Sequence, residues 1–152
     1  MRTSSQKNMA SDGLLDTNVL VHFLLRDDRT EECRAFLRLV QCGERRVRLE
    51  VYVVHELTFV LSRVIKQMTK SDIVEFILQI ISWPGIDCDR DLLAGTIDRW
   101  RLPGISFVDA LLATQARMSG DRVFTVNAKD FKDVGVEVPE PLWNYTPSTS
   151  KS

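Results

Sequence analysis

The spacing of apolar residues changes several times along the chain, and each change predicts the border of a strand or helix. Leu14 and Leu15 predict a short strand that ends at Asp16, where helical spacing begins at once. Further strands are predicted at residues 47–49, 86–88 and 123–126, with a weak edge strand at 134–138. The helical patterns lie between these strands, at residues 17–24, 30–43, 53–64, 69–81, from Asp89 or Asp91 to Trp100, and 106–120.

Short strands that alternate with helices predict a mostly parallel sheet, because parallel neighbours need a long connection, usually helical, between them. The predicted fold class is therefore α/β, a three-layer α/β/α sandwich with a mostly parallel central sheet. The 152 residues fit one domain, expected over residues 13–145, between flexible polar tails at 1–12 and 146–152. Ligands of such sheets bind beyond the carboxyl ends of strands, where Asp16 and Asn127 are predicted to lie.

Composition narrows the function classes. The net charge of −1 gives no overall attraction to polyanions, so nucleic-acid binding would need local cations or bound metal. No apolar run approaches the roughly 20 residues that span a bilayer, and the first 13 residues lack the apolar centre of a secretory signal. We therefore expect a cytoplasmic protein without a membrane segment. Three scattered cysteines, Cys33, Cys42 and Cys88, suggest neither disulfides nor a zinc site.

Three acidic residues occupy positions that suit metal binding. Asp16 ends the first strand, and Asp109 lies in the first turn of a helix. Glu56 is predicted to lie on the inward, buried face of its helix, between Val53 and Val60. Carboxylates are the ligands of hard cations, and two Mg²⁺ or Mn²⁺ ions about 4 Å apart promote phosphodiester hydrolysis. The hypothesis is that Asp16, Glu56 and Asp109 converge to hold such ions.

Each acid also has a purely structural interpretation. Asp16 can cap the helix that begins at Thr17. Ser106 and Asp109 have the spacing of a capping box, in which two residues exchange hydrogen bonds at a helix start. A buried Glu56 requires a partner, and an arginine is the alternative to a metal.

Four segments resemble, in order and spacing, the motif regions of PIN-domain nucleases, most closely VapC-type toxins of toxin–antitoxin pairs: LLDTNVLVHFLL, VHELTFVL, ISFVDALLA and VFTVNAKDF. The resemblance covers nearly all of residues 13–141. It implies Mg²⁺ or Mn²⁺ dependence and endonucleolytic cleavage of RNA, leaving 5′-phosphate and 3′-hydroxyl ends. It also implies a homodimer, held inactive by a small antitoxin protein that crosses the acidic cleft.

The resemblance assigns roles to individual residues. Asp16 is the first-strand acid, supported by Asn18, and Asp109 is the acid of the D-A-L segment. These two aspartates would bind the principal ion. Glu56 is the helix acid, which would support water or a second ion.

The match departs from the family at two positions. Many relatives carry an acidic residue where this chain has Ser106, and an aspartate where it has Asn127. Asparagine keeps a carbonyl oxygen but loses a charge, so a second ion would be bound less firmly. Asp130 is a candidate to compensate for Asn127, and Thr125 is a candidate hydrogen-bonding residue at the strand end.

Candidate RNA-binding cations are available, although each alone can be an ordinary surface charge: Arg63, Lys66, Arg117, Lys129 and Lys132. The main rival is a binding module that keeps the fold without the chemistry, and Asn127 favours it. An aspartate-nucleophile phosphatase or receiver domain is a weaker rival, because Thr-Asn follows Asp16 and no P-loop occurs.

Overall fold

The computed structural model describes residues 10–134, 136 and 139–141. These residues form two compact units, one ending at Arg90 and the other beginning at Asp91. Residues 1–9 of the predicted N-terminal tail, the whole predicted C-terminal tail and Trp143 lie outside the described residues. No helix in the described part of the chain is long and apolar enough to cross a membrane.

The first unit contains a three-stranded parallel sheet whose spatial order, β1-β2-β3, follows the chain. Val47 lies in the middle strand, β2, where it pairs with Gly13 of β1 on one side and with Ile86 of β3 on the other. Each crossover is a pair of helices, as the alternation of strands and helices predicted. The elements are β1 (Gly13–Leu14), α1 (Thr17–Leu24), α2 (Thr30–Gln41), β2 (Val47–Arg48), α3 (Val51–Val64), α4 (Lys70–Ile81) and β3 (Ile86–Asp87).

The core of this unit is aliphatic, with an aromatic cluster. The ring of Phe23 stacks on Phe76 and meets Trp83 edge-on, with centroids 6.2 Å apart in both pairs. Each fully buried aliphatic side chain contributes roughly 1.5–3 kcal/mol. These side chains come from all four helices and from β3, and include Leu20, Leu37, Leu57, Leu61, Ile77 and Ile86.

The second unit contains a pair of parallel strands, with Val123 opposite Pro139 and Thr125 opposite Pro141. A small core packs around Phe131, with Ala113, Ala116, Val123, Val134 and Val136. The elements are α5 (Arg90–Trp100), α6 (Phe107–Ser119), β4 (Val123–Thr125), α7 (Ala128–Asp133) and β5 (Pro139–Pro141).

The end of the chain differs from the sequence-based prediction. The edge strand predicted at 134–138 is wrong, since Val134 lies in a turn and Val136 is not in a strand. Both valines are buried in the core instead, and the strand follows at 139–141. Residues 135, 137 and 138 lie outside the described residues. Helix α7 was not predicted, because its six residues bury only Phe131 and therefore show no helical periodicity.

Helix α4 begins with a capping box at Thr69, one of the two candidate caps, Thr69 and Ser71, that its sequence offers. The Thr69 hydroxyl accepts a hydrogen bond from the Asp72 backbone at 3.1 Å, and the Thr69 backbone donates to the Asp72 carboxylate at 2.7 Å. The backbone hydrogen bond from Thr69, reinforced by the Thr69 hydroxyl, lowers the pKa of Asp72 below its ordinary value of 3.8.

Replacing Asp72 with alanine is expected to destabilise the protein in a pH-dependent way. A pKa lowered by folding contributes stability that is present above the unfolded value and is lost as the pH falls through the folded value. The free energy of unfolding of Asp72→Ala should therefore lie below that of the parent at pH 7, with a smaller gap at pH 3. Urea denaturation at both values, with Ser71→Ala as control, measures it. An equal gap at both values would contradict this account.

The backbone of residues 40 and 45 lies very close to Gly85. A Cβ atom here would overlap the backbone carbonyl oxygens of Val40 and Arg45, which cannot yield as a flexible side chain can. We expect Gly85→Ala to lower the free energy of unfolding by about 3 kcal/mol, at the upper end of overpacking effects. Gly13→Ala, with open space around its Cβ, is the matched control and should change it by less than about 0.5 kcal/mol. Similar urea midpoints for both variants would refute the steric argument.

Candidate active site

Asp16 lies between the end of β1 and the first residue of α1. Its backbone is extended (φ −84°, ψ 146°) and occupies the N-cap position of the helix. Its side chain is exposed and makes no capping hydrogen bond to α1, a helix that is described in full. The capping interpretation therefore explains the backbone of Asp16 and leaves its carboxylate available for another partner.

The next residue joins α1 to α3. The hydroxyl of Thr17 donates a hydrogen bond to Oε2 of Glu56, with 2.6 Å between the two oxygens. Thr17 is only 2% exposed, so the donor is fixed by packing. This bond connects residues 39 positions apart and places the Glu56 carboxylate beside the residue that follows Asp16. Sequence reasoning missed Thr17, although its place directly after Asp16 was a signal for it.

The prediction that Glu56 is buried is wrong, because its side chain is exposed. The helical spacing predicts a buried stripe of Val53, Leu57, Val60, Leu61 and Val64, but Val64 is 52% exposed. The observed buried face keeps Val53, Leu57 and Leu61 and adds Val54 and Thr58 in place of Val60 and Val64, so it is rotated away from Glu56. Glu56 therefore needs no partner to offset burial, and it forms no ion pair with an arginine of the described chain.

Asp109 belongs to the second unit, where it is half-buried in the first turn of α6. Its backbone N–H donates to the hydroxyl of Ser106 at 3.1 Å. A complete capping box has a second bond, from the backbone N–H of the cap residue to the side chain of the third helical residue, as Thr69 and Asp72 show in α4. Ser106 and Asp109, both within the described residues, form only the first of the two bonds. The capping interpretation is thus correct for Ser106 and leaves the Asp109 carboxylate uncommitted.

Asn127 follows β4, as predicted, and occupies the N-cap of α7. Its backbone N–H donates to the hydroxyl of Thr125 at 2.9 Å, so Thr125 shapes the turn at the strand end. The side chains of Asn127 and of Asp130, one turn into α7, are exposed. Within the second unit these three polar residues lie together at the carboxyl end of β4.

A cleft of about 570 Å³ opens between α1 and α2, within the size range of small-molecule sites. Asn18 lines this cleft, so the predicted support for Asp16 faces a concave surface. His22 also lines it, and its Nδ1 lies 2.5 Å from a carboxylate oxygen of Asp27. Desolvation raises the pKa of Asp27, but hydrogen bonds from His22 and the Arg29 backbone outweigh it and hold that pKa below 3.8.

Asp16 and Glu56 suit a hard divalent cation by their chemistry. Both are exposed residues of the first unit with carboxylate oxygens, and Glu56 is bonded to Thr17, the residue that follows Asp16. By themselves they are an incomplete site. In the described residues, no group of three or more His, Cys, Asp or Glu side chains could hold a metal ion. Sites for Mg²⁺ usually take one or two carboxylates and leave the other positions to water and substrate phosphate, and this pair fits that pattern.

The family model described as PIN domain matches residues 13–137. The chain belongs to the PIN domain family. A search of curated proteins found no match for this chain.

Membership in the PIN family confirms the predicted fold class, an α/β sandwich with parallel strands. PIN domains are commonly nucleases that act on RNA, and they generally use divalent metals such as Mg²⁺ or Mn²⁺. The match begins at Gly13, the first residue of β1, and it includes both units of the described chain. The acids of the first and second units are therefore parts of one PIN domain sequence.

The bond from Thr17 to Glu56 is expected to contribute measurable stability. Thr17→Val keeps the approximate shape of the side chain but removes the donor, and a hydrogen bond to a charged group contributes about 1.5–3 kcal/mol. A double-mutant cycle with Glu56→Ala, followed by urea denaturation, separates this bond from other effects of each change. We expect a coupling free energy of about 1 kcal/mol, because Glu56 is exposed. A coupling of zero would show that the bond does not hold α1 to α3.

Proposed function

We propose that this PIN-domain protein is a metal-dependent endoribonuclease. The observation that supports it best is the hydrogen bond from Thr17 to Glu56, which places the Glu56 carboxylate beside the residue that follows Asp16. A divalent cation would offset the repulsion between two carboxylates that share one site. The family supplies the reaction class, since PIN nucleases commonly hydrolyse RNA.

The proposed ligands of Mg²⁺ or Mn²⁺ are Asp16, Glu56 and Asp109. Asp109 is included because of its place in the family motif and because its carboxylate is not used to cap α6. When bound, such ions neutralise charge on the phosphate and favour ionisation of water. Supporting roles are proposed for Asn18 in the first unit, and for Asn127, Asp130 and Thr125 in the second.

Thr17 acts as a positioning residue in this proposal. Its hydroxyl holds Oε2 of Glu56, which fixes the rotation of the carboxylate and leaves Oε1 to bind a cation. Asp16 is held by the extended backbone between β1 and α1, so its carboxylate starts from a defined position. Asn127 brings a neutral oxygen where an aspartate would bring a charge, so a second cation is proposed to be bound less firmly.

The biological setting is proposed from the motif resemblance. The order and spacing of the four segments support a VapC-like toxin of a toxin–antitoxin pair. Such a protein would act in the cytoplasm as a homodimer, with a small antitoxin protein as its partner.

A PIN-fold binding module without catalysis is the second candidate. Asn127 favours it, since it replaces a charged residue of many relatives. The lack of a three-residue metal group in the described residues also favours it.

Cleavage of RNA in the presence of Mn²⁺ separates the two candidates. Asp16→Asn removes a metal ligand without changing shape, so we expect cleavage at least 100-fold slower than in the parent. Asp28→Asn, which changes an exposed aspartate in the loop before α2, is the matched control and should cleave at the parent rate. EDTA should abolish cleavage by the parent. If the parent and Asp16→Asn leave RNA equally intact in Mn²⁺, the binding-module function is favoured.

A further inference from the structure

The exposed face of α3 carries two aromatic rings and a cation around Glu56. Tyr52 is 63% exposed and Phe59 is 54% exposed. The guanidinium carbon of Arg63 lies 4.1 Å from the centroid of the Phe59 ring. Spacings of four, three and four residues place Tyr52, Glu56, Phe59 and Arg63 on one side of the helix. We call this set of four residues the α3 face.

The α3 face is not needed to hold the helix in place. Val54, Leu57 and Leu61, on the opposite side of α3, are essentially inaccessible to solvent and anchor the helix. Within residues 10–134, neither Tyr52 nor Phe59 packs against another aromatic ring. Large exposed rings in a row lose the hydrophobic stabilisation that burial would give, which indicates a binding surface.

We propose that the α3 face binds single-stranded RNA, with one base stacked on Tyr52, another on the face of Phe59 opposite Arg63, and a phosphate at Arg63. This inference rests on the proposed function, because it places the substrate across Glu56. Seven residues of helix separate the two rings by about 10 Å along the axis, with Glu56 between them. A strand lying along α3 would therefore cross the candidate metal ligand between two stacked bases.

The chemistry of the α3 face favours an unpaired strand over the alternatives. Base faces are accessible in single strands and are hidden in duplexes, and stacking on aromatic residues tolerates any base. Arg63 adds positive charge, which suits a phosphate. A protein partner is disfavoured because the cores of protein interfaces are depleted of glutamate, and Glu56 lies at the centre of this face.

Fluorescence anisotropy with a short, unstructured, labelled RNA in EDTA tests binding without cleavage. Phe59→Leu and Tyr52→Leu remove aromatic faces but keep apolar bulk, so each should weaken RNA binding by about 5-fold or more. Tyr52→Phe keeps the ring and should bind like the parent. Val64→Ala is the matched control, because Val64 is equally exposed on α3 but points away from the α3 face.

Salt dependence separates the role of Arg63 from the roles of the rings. Arg63→Gln should reduce the slope of log Kd against log salt by about 0.7, whereas Phe59→Leu should leave that slope unchanged. Annealing the RNA to its complement should remove the difference between the parent and Phe59→Leu.

Three results would overturn the proposal. The first is that the parent fails to bind the RNA, and the second is that the leucine variants bind it as tightly as the parent does. The third is that Phe59→Leu changes only the oligomeric state measured by light scattering. The last result would make the α3 face an interface between copies of the chain. Because these measurements contain no metal, they are independent of the cleavage assay. If the leucine variants bind RNA more weakly but the parent cleaves no RNA in Mn²⁺, the nuclease function is rejected and RNA binding by the α3 face is retained.

Discussion

The hydrogen bond from the hydroxyl of Thr17 to the carboxylate of Glu56 is the contact on which the candidate site depends. It joins the first residue of α1 to the middle of α3, two helices that follow neighbouring strands of the same parallel sheet. Parallel pairing of β1 with β2 brings the carboxyl ends of both strands to one edge, so the helices that follow start from the same side. The side-chain contact then holds the Glu56 carboxylate beside Thr17, the residue that follows Asp16.

The fold could be predicted largely from local signals. Short apolar runs bounded by caps and glycines gave correct positions for β1 to β4 within about two residues. Capping chemistry located the start of α6 at Ser106 and narrowed that of α4 to Thr69 or Ser71, of which Thr69 is the cap. The region after β4 could not be predicted in the same way. Helix α7 has one buried residue, and β5 has proline at both ends, so neither carries the pattern of its type.

The candidate site was predicted in its residue types more accurately than in its environment. Asp16 and Asn127 follow strands as expected, because strand ends are marked clearly in the sequence. The burial of Glu56 was not predictable from spacing alone, since α3 has apolar residues around most of its circumference. Two overlapping stripes fit the same sequence, and tertiary packing selected the one that contains Val54 and Thr58 over the one that contains Val60 and Val64. That rotation leaves Glu56, Tyr52 and Phe59 together on the exposed side.

Anomalous diffraction from crystals grown with Mn²⁺ tests the central claim most directly, because it locates the ion without relying on activity. The account predicts a manganese peak bonded to carboxylate oxygens of Asp16 and Glu56, with Asp109 as a further ligand. Manganese bound elsewhere, or carboxylates of Asp16 and Glu56 that point apart with no ion between them, would contradict it.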